Sequence, residues 1–170
     1  MRYTFEWDPV KAKENLRKHG VSFQRAAELI LDPLAVSVVD PEHSETEERW
    51  VTTGRDTHGR ILVLVHTFSE TSAEECKIRV ISARKATKGE AHAIQGKGTM
   101  KKEYDFSKGE RGKFYRPDAE LNIPIYLDPD VATVVREQAK RKDASIERVV
   151  NDWLRKDIRS RSQARRVKAR

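Results

Sequence analysis

The chain changes character once, at Gly96-Lys97-Gly98-Thr99, and a methionine, Met100, follows the change. Residues 1–99 hold 15 Lys and Arg against 15 Asp and Glu, so they are neutral. Residues 100–170 hold 19 basic against 12 acidic groups, and the whole net charge of +7 lies there. A break in order, turn signals and charge at one place directs the chain toward two short units rather than one continuous core. The first is long enough for a modest core of its own. The second, 71 residues, is near the size at which a domain needs a partner chain to complete its core. No apolar run approaches the roughly 20 residues of a membrane span. The start, Met1 to Asp8, lacks the apolar stretch of a signal peptide. One cysteine, Cys76, excludes an internal disulfide framework and fits a reducing cytosol.

The first unit reads as β-α-α-β-β-β-β. Tyr3–Trp7 alternates aromatic and polar residues as a strand does. Asp8-Pro9 supplies an N-cap and a proline at the first helical position, and Gly20 supplies a left-handed stop. Ser22 caps a second helix whose apolar positions Phe23, Ala26, Ala27, Ile30 and Leu31 keep helical spacing. Ala35–Val39 and Arg49–Gly54 read as strands, the latter with Trp50 and Thr52 on one face and Arg49, Val51 and Thr53 on the other. Asp56-Thr57-His58-Gly59 is a hairpin turn. Ile61–Phe68 is a central strand, Ser69–Glu75 an acidic loop, Cys76–Ala83 the last strand, and Arg84–Lys88 a basic segment. Helices ahead of a run of antiparallel strands indicate an α+β, two-layer domain.

The residues also permit a chemistry. Cleaving a phosphodiester without a metal needs a proton acceptor for the nucleophile, a donor for the leaving oxygen, and cations at the phosphorane. Arg49, Arg55, Arg79 and Arg84 lie on or beside strands that can neighbour one another. His66 and His19 are the candidate proton carriers. Each has a plainer role available: a solvated sheet face for the arginines, a buried hydrogen-bonded ring for His66, a helix C-terminal cation for His19. No Cys/His cluster has zinc spacing and no carboxylate pair has two-metal spacing, so neither a metal nor another cofactor is expected.

Residues 3–90 resemble the BrnT family of bacterial toxins, a branch of the RelE-like ribonucleases. The resemblance rests on Phe5-Glu6-Trp7-Asp8, Asn15 through Phe23, Glu48-Arg49, Gly54-Arg55, and Ile81-Ser82-Ala83-Arg84-Lys85-Ala86. It implies a RelE-like, metal-independent endoribonuclease that arrests growth in the bacterial cytoplasm, with its site on an exposed sheet face. On that reading Arg49, His66, Arg79, Arg84 and His19 are the catalytic candidates, and Arg55 and Lys85 contact RNA. Members of the family usually carry a few more helical residues past the position of Glu90. Here Ala91 to Gln95 leads straight into the Gly-rich junction, which puts activity in question.

The second unit begins with Lys101–Pro117, where Tyr104, Phe106, Phe114 and Tyr115 stand among six basic residues with neither helical nor strand period. Such a segment suits an arm that orders on a partner. Leu121 to Leu127 then alternates, with Leu121, Ile123, Ile125 and Leu127 on one face and Asn122, Pro124 and Tyr126 on the other. Pro124 confines it to an edge or a two-stranded ribbon. Asp128-Pro129 opens one helix and Ser145 another, each with an apolar stripe. One strand and two helices cannot bury that apolar face without a second copy. Residues 120–158 resemble the ribbon-helix-helix family, and the arm looks like the N-terminal region of its antitoxins. The resemblance implies a homodimer whose paired strands enter operator DNA. Asn122 and Tyr126 would then contact bases or backbone, and Ser145 would hold a phosphate at a helix start. The basic stretch 159–170 reads as an irregular tail that adds non-specific attraction to nucleic acid.

The expected organisation is thus a toxin domain at 1–92, a linker at 93–100, a toxin-binding arm at 101–118, a ribbon-helix-helix dimerisation domain at 119–158 and a basic tail at 159–170. The function expected of it is a toxin–antitoxin fusion, a ribonuclease masked by an autoregulating DNA-binding antitoxin. The first rival is a repressor that keeps a catalytically dead toxin-like scaffold, and the second is a nucleic-acid-processing enzyme whose basic half delivers substrate. RNA, operator DNA and a second copy are the expected partners, and no membrane is involved.

Overall fold

A computed structural model describes residues 1–40, 44, 47–94 and 106–168. The chain divides into two compact units, Met1–Pro124 and Ile125–Arg170. The first therefore reaches well past the junction that the sequence suggests, and takes in most of the arm. No helix among the described residues is long and apolar enough to cross a membrane.

The first unit is a mixed α+β domain around a seven-stranded sheet. Its strands are β1 (Arg2–Glu6), β2 (Val36–Val39), β3 (Arg49–Arg55), β4 (Ile61–Ser72), β5 (Glu75–Lys85), β6 (Glu110–Arg111) and β7 (Glu120–Asn122), in the order β6-β2-β3-β4-β5-β1-β7. The β2 to β5 pairings are antiparallel, as expected, but β1 runs parallel to β5 and β7 runs parallel to β1. Two short parallel pairings between residues distant in sequence leave no local pattern to read. The acidic stretch Ser69–Glu75 is strand rather than loop, because β4 and β5 continue through it to a two-residue turn at Ala73-Glu74.

The local signals set the helices as the sequence predicts. Asp8 accepts from Val10 N at 2.7 Å and Lys11 N at 3.1 Å, starting α1 (Pro9–His19), and Gly20 ends it at φ 65°. Ser22 caps α2 (Phe23–Ala27), which continues as a 3₁₀ turn to Leu31. Both helices lie on one sheet face. There Phe23, Ala26, Ala27, Leu29 and Ile30 join Trp50, Leu62, Leu64, Ile78, Val80 and Ala83 in the main core. The sequence reading stops before α3 (Lys88–Ile94). Thr87 and Glu90 form a capping box: Glu90 N donates to Thr87 Oγ1 at 3.3 Å and Thr87 N to Glu90 Oε2 at 2.8 Å.

The arm is a strap. Phe106 packs with Val36, Val38, Val51 and Val63 on one face of the sheet. The chain then pairs with the β2 edge as β6 and sends Phe114 into the core on the other face. It closes the β1 edge as β7. Gly109 permits the first turn of this path, since a Cβ there would overlap Val36 Cγ1.

The second unit consists of α4 (Pro129–Lys142) and α5 (Ile146–Lys168). Val135, Ala139 and Val149 are buried between them, with Leu127, Ala144 and Val150 alongside. Val131, Val134, Ile146, Trp153, Leu154 and Ile158 remain exposed, so the apolar stripe is wider than two helices can cover. The tail read as irregular is helical to Lys168. No glycine or proline interrupts it, and Arg161 Nε meets Asp157 at 2.7 Å one turn away. The strand expected over Leu121–Leu127 is present only at Leu121 and Asn122, within β7.

Beyond Glu6, β1 no longer covers β5, and Asn15 of α1 takes its place. Its carboxamide donates to Ala83 O at 2.8 Å and Val21 O at 3.0 Å and accepts from Ala83 N at 3.1 Å. Asn15→Ala strands these buried groups and should cost roughly 2–4 kcal/mol, read as a fall in the urea midpoint. A change below about 0.5 kcal/mol would mean that water replaces the carboxamide freely.

Candidate functional site

The register brings three of the expected arginines to one face. Arg49 pairs with Thr67 and Thr67 with Arg79, so these form a row across β3, β4 and β5. Arg84, paired with Val63, lies on the same face nearer the β3–β4 turn. The alternation holds across a bulge at Ile81, where His66 pairs with Val80 and Val65 with Ser82. Each cation meets a carboxylate of the same domain. Glu47 Oε1 forms an ion pair with Arg79 and stands 3.8 Å from Arg49 Nη2. Glu90 takes Arg84 in a two-pronged grip, at 2.7 and 2.8 Å. Burial would raise the Glu90 pKa, but the hydrogen bonds from Arg84 and Thr87 outweigh it and hold it below the ordinary range. Arg49 Nε and Thr53 Oγ1 are buried on this face without hydrogen-bond partners among the described residues.

His66 is not part of this group. Alternation puts it on the opposite face, fully buried, where its Nε2 lies 2.9 Å from Thr52 Oγ1. Thr52 in turn lies 2.8 Å from Ser37 Oγ, which completes a buried polar chain. The plainer reading, a satisfied core histidine, describes its surroundings. Burial lowers its pKa to about 4, partly opposed by the carbonyl of Thr67, so the ring is neutral near pH 7. Phe114 lies over it at 5.1 Å between ring centroids, with Trp50 at 5.4 Å and Phe68 at 4.8 Å from the same phenyl ring. The Tyr3 hydroxyl donates to Phe114 O at 2.7 Å. Burial raises its pKa, which keeps that proton in place. Lys113 Nζ stands 4.4 Å above the Trp50 ring. A pocket of about 280 Å³ beside Phe114 is lined by Glu48, Glu70 and Arg116 as well as these rings. This socket fits a basic-aromatic segment, which is what Lys113 to Arg116 supplies.

The remaining candidates are scattered. His19, in the last turn of α1, lines an open basic groove with Lys11, Arg17 and Lys18 and does not reach the arginine row. Arg55 is exposed at the end of β3, its Nη1 3.4 Å from Gly59 O, and Lys85 is exposed at the end of β5. Of the arm, Phe106 and Phe114 are buried, Tyr115 is half-buried, and Tyr104 lies outside the described residues. Asn122 is exposed in β7, Tyr126 is exposed, and the Ser145 hydroxyl accepts from Arg148 N at 3.1 Å as the cap of α5. Sequence reasoning missed Glu47 and Glu90. The pattern Thr87-x-x-Glu90 signals the second; nothing local signals the first.

Residues 7–90 match the family model described as the ribonuclease toxin BrnT of type II toxin–antitoxin systems. The match spans just under half of the chain and ends at the residue that grips Arg84. Over those residues the first unit is similar to the BrnT toxin family. Among solved structures the chain is similar to the crystal structure of the ribonuclease toxin BrnT of Brucella abortus. Identity is 20 % and the TM-score 0.37, over 51 % of this chain and 99 % of that one. No curated protein matches the chain.

The buried histidine gives a test of this geometry. Unfolded, His66 takes up a proton near pH 6.5; folded, it resists until about pH 4. Between those values the unfolded chain binds more protons, so stability falls as pH falls. The full loss is on the order of 3 kcal/mol. Asp56 and Glu90, both held below the usual carboxylate range, add their losses at lower pH. Urea midpoints should drop steeply across the histidine window, and His66→Gln should flatten that part of the profile. An equally steep drop in the variant would mean that His66 is not the group responsible.

Proposed function

We propose that the chain is a toxin and its antitoxin in one polypeptide. The toxin domain is a RelE-like, metal-independent endoribonuclease, and Arg49, Arg79 and Arg84 face the scissile phosphate, where they offset developing charge. Residues 106–124 mask it in cis or in trans. Residues 120–158 form a ribbon-helix-helix module that dimerises, reads operator DNA through Asn122 and Tyr126, and holds a phosphate at Ser145. The basic end of α5 adds salt-sensitive affinity for any duplex.

One observation carries the masking part of this reading: the strap contributes to both sheet edges and both sheet faces of the toxin domain. The unmet apolar stripe on α4 and α5 supports the dimer. A second reading, a DNA-binding repressor with an inert toxin-like scaffold, draws on the distance between His66 and the arginines. It draws also on the carboxylate partner that each arginine already has.

Growth and RNA decay in a bacterial host separate the two. The intact chain should be harmless. Gly109→Ala with Gly112→Ala should unseat the strap next to Phe106, because a Cβ at either glycine collides with the β2 side of the sheet or with Pro33 O. That full-length variant should arrest growth and degrade RNA. Adding Arg79→Ala should cut the RNA decay rate by about 10²–10³ and restore growth. A folded, strap-released variant without RNA decay would remove the ribonuclease reading and leave the repressor.

Operator binding has its own check. Asn122→Ala or Tyr126→Ala should weaken binding to the cognate site by roughly 1–3 kcal/mol and leave random duplex unaffected. An equal loss on both duplexes would mean that these side chains do not read sequence.

A further inference from the structure

The alternating set Leu121, Ile123, Ile125 and Leu127 is divided between two cores. Leu121 and Ile123 pack against the toxin core, beside Phe114 and Tyr3. Leu127 packs against the helix pair with Val135, Ala139 and Val149. Ile125, between them, is 75 % exposed. The backbone is committed in the same way. Leu121 pairs with Tyr3 and Asn122 with Thr4, and Glu120 N donates to Met1 O at 3.0 Å.

We propose that the open edge of β1 and a second copy of this chain are competing partners for residues 120–125. The inference rests on the ribbon-helix-helix reading of the second half. In such a dimer the alternating apolar residues of the ribbon must all turn onto the helices. The face of α4 and α5 that would receive them is the one left uncovered, at Val131, Val134, Ile146, Trp153 and Leu154. A side chain cannot fill two cores at once. Docking of Leu121 and Ile123 on the toxin sheet therefore withdraws them from the dimer, and dimerisation withdraws β7 from β1. The edge of β1 accepts the segment by strand addition, which gives main-chain hydrogen bonds as affinity and two apolar side chains as specificity. Three paired residues form a weak clamp, well suited to exchange. The consequence is a linkage: conditions that favour the dimer bare the edge of the toxin sheet, and a locked strap holds the chain monomeric.

A reversible lock tests this on the full chain. Arg2 and Glu120 are direct partners across β1 and β7, so Arg2→Cys with Glu120→Cys can form a disulfide that holds the strand in place. The native Cys76 is buried and does not compete. Sedimentation equilibrium measures the dimer. The reduced double variant should dimerise as the unaltered chain does, and oxidation should weaken dimerisation by about tenfold or more, reversed by reductant. Amide hydrogen exchange at Arg2 to Thr4 of β1 provides a second readout. In the unaltered chain, exchange at the β1 edge should speed up as protein concentration drives dimerisation. An oxidised variant that dimerises as well as the reduced one would overturn the competition and leave the ribbon-helix-helix reading standing. An unaltered chain that stays monomeric at every concentration would overturn both.

Discussion

Phe114 is the contact on which the first unit depends. A bare sheet of five strands has two edges and two faces, and α1 and α2 cover only part of one face. The uncovered part holds Tyr3, Trp50, His66 and Phe68, a patch too apolar to leave in water. Phe114 closes it. β6 and β7 contribute only a few ladder bonds. Burying Phe114 and Phe106 adds apolar area removed from water, and the socket adds edge-on ring contacts with Trp50 and His66. The aromatic residues hold the strap, and the strand pairs set where it runs.

The same logic explains why His66 is tolerated inside. A buried imidazole without partners would be costly, but Thr52 and the Thr67 carbonyl engage both ring nitrogens, and Phe114 excludes water. The polar chain Ser37–Thr52–His66 also crosses three neighbouring strands on one face. It fixes their register in a way that interchangeable apolar residues would not. The bulge at Ile81 sits where this histidine row ends, and it sets Arg79 in line with Arg49.

Much of the fold is legible in the residues. The Asp8-Pro9 start, the Gly20 stop and the Ser22 cap are local rules, and each operates as written. The alternation in β3 correctly separates Trp50 and Thr52 from Arg49 and Val51. What is not legible is non-local. The charge break near residue 99 is real, yet the compact unit ends at Pro124, because composition cannot reveal that a basic segment packs across a neutral sheet. The parallel pairings of β1 with β5 and β7 join residues some 70 to 120 positions apart. The chemistry of histidine points His66 toward the arginines, but its alternation with Leu64 and Phe68 along β4 places it among core residues.

On the ribonuclease reading, the three arginines of the exposed face are not equivalent, and burial decides the difference. The Glu47 pairs with Arg79 and Arg49 are about a third to a half exposed on both sides. Such pairs are worth about 0–1 kcal/mol, so a phosphate that offers two charged oxygens can displace the carboxylate at little cost. Arg84 is held by a carboxylate that is only 3 % exposed and also caps α3. Breaking that grip would strand a buried charge and undo a helix start, a far larger cost. Arg49 and Arg79 are therefore the cations free to change partner during a reaction. Arg84 stays bound to Glu90, so on this reading it offsets charge at the phosphate from a fixed position while also holding α3 against the sheet. The unmatched Nε of Arg49 fits the same division. The row that is least satisfied within the fold is the one with the most to gain from an anion.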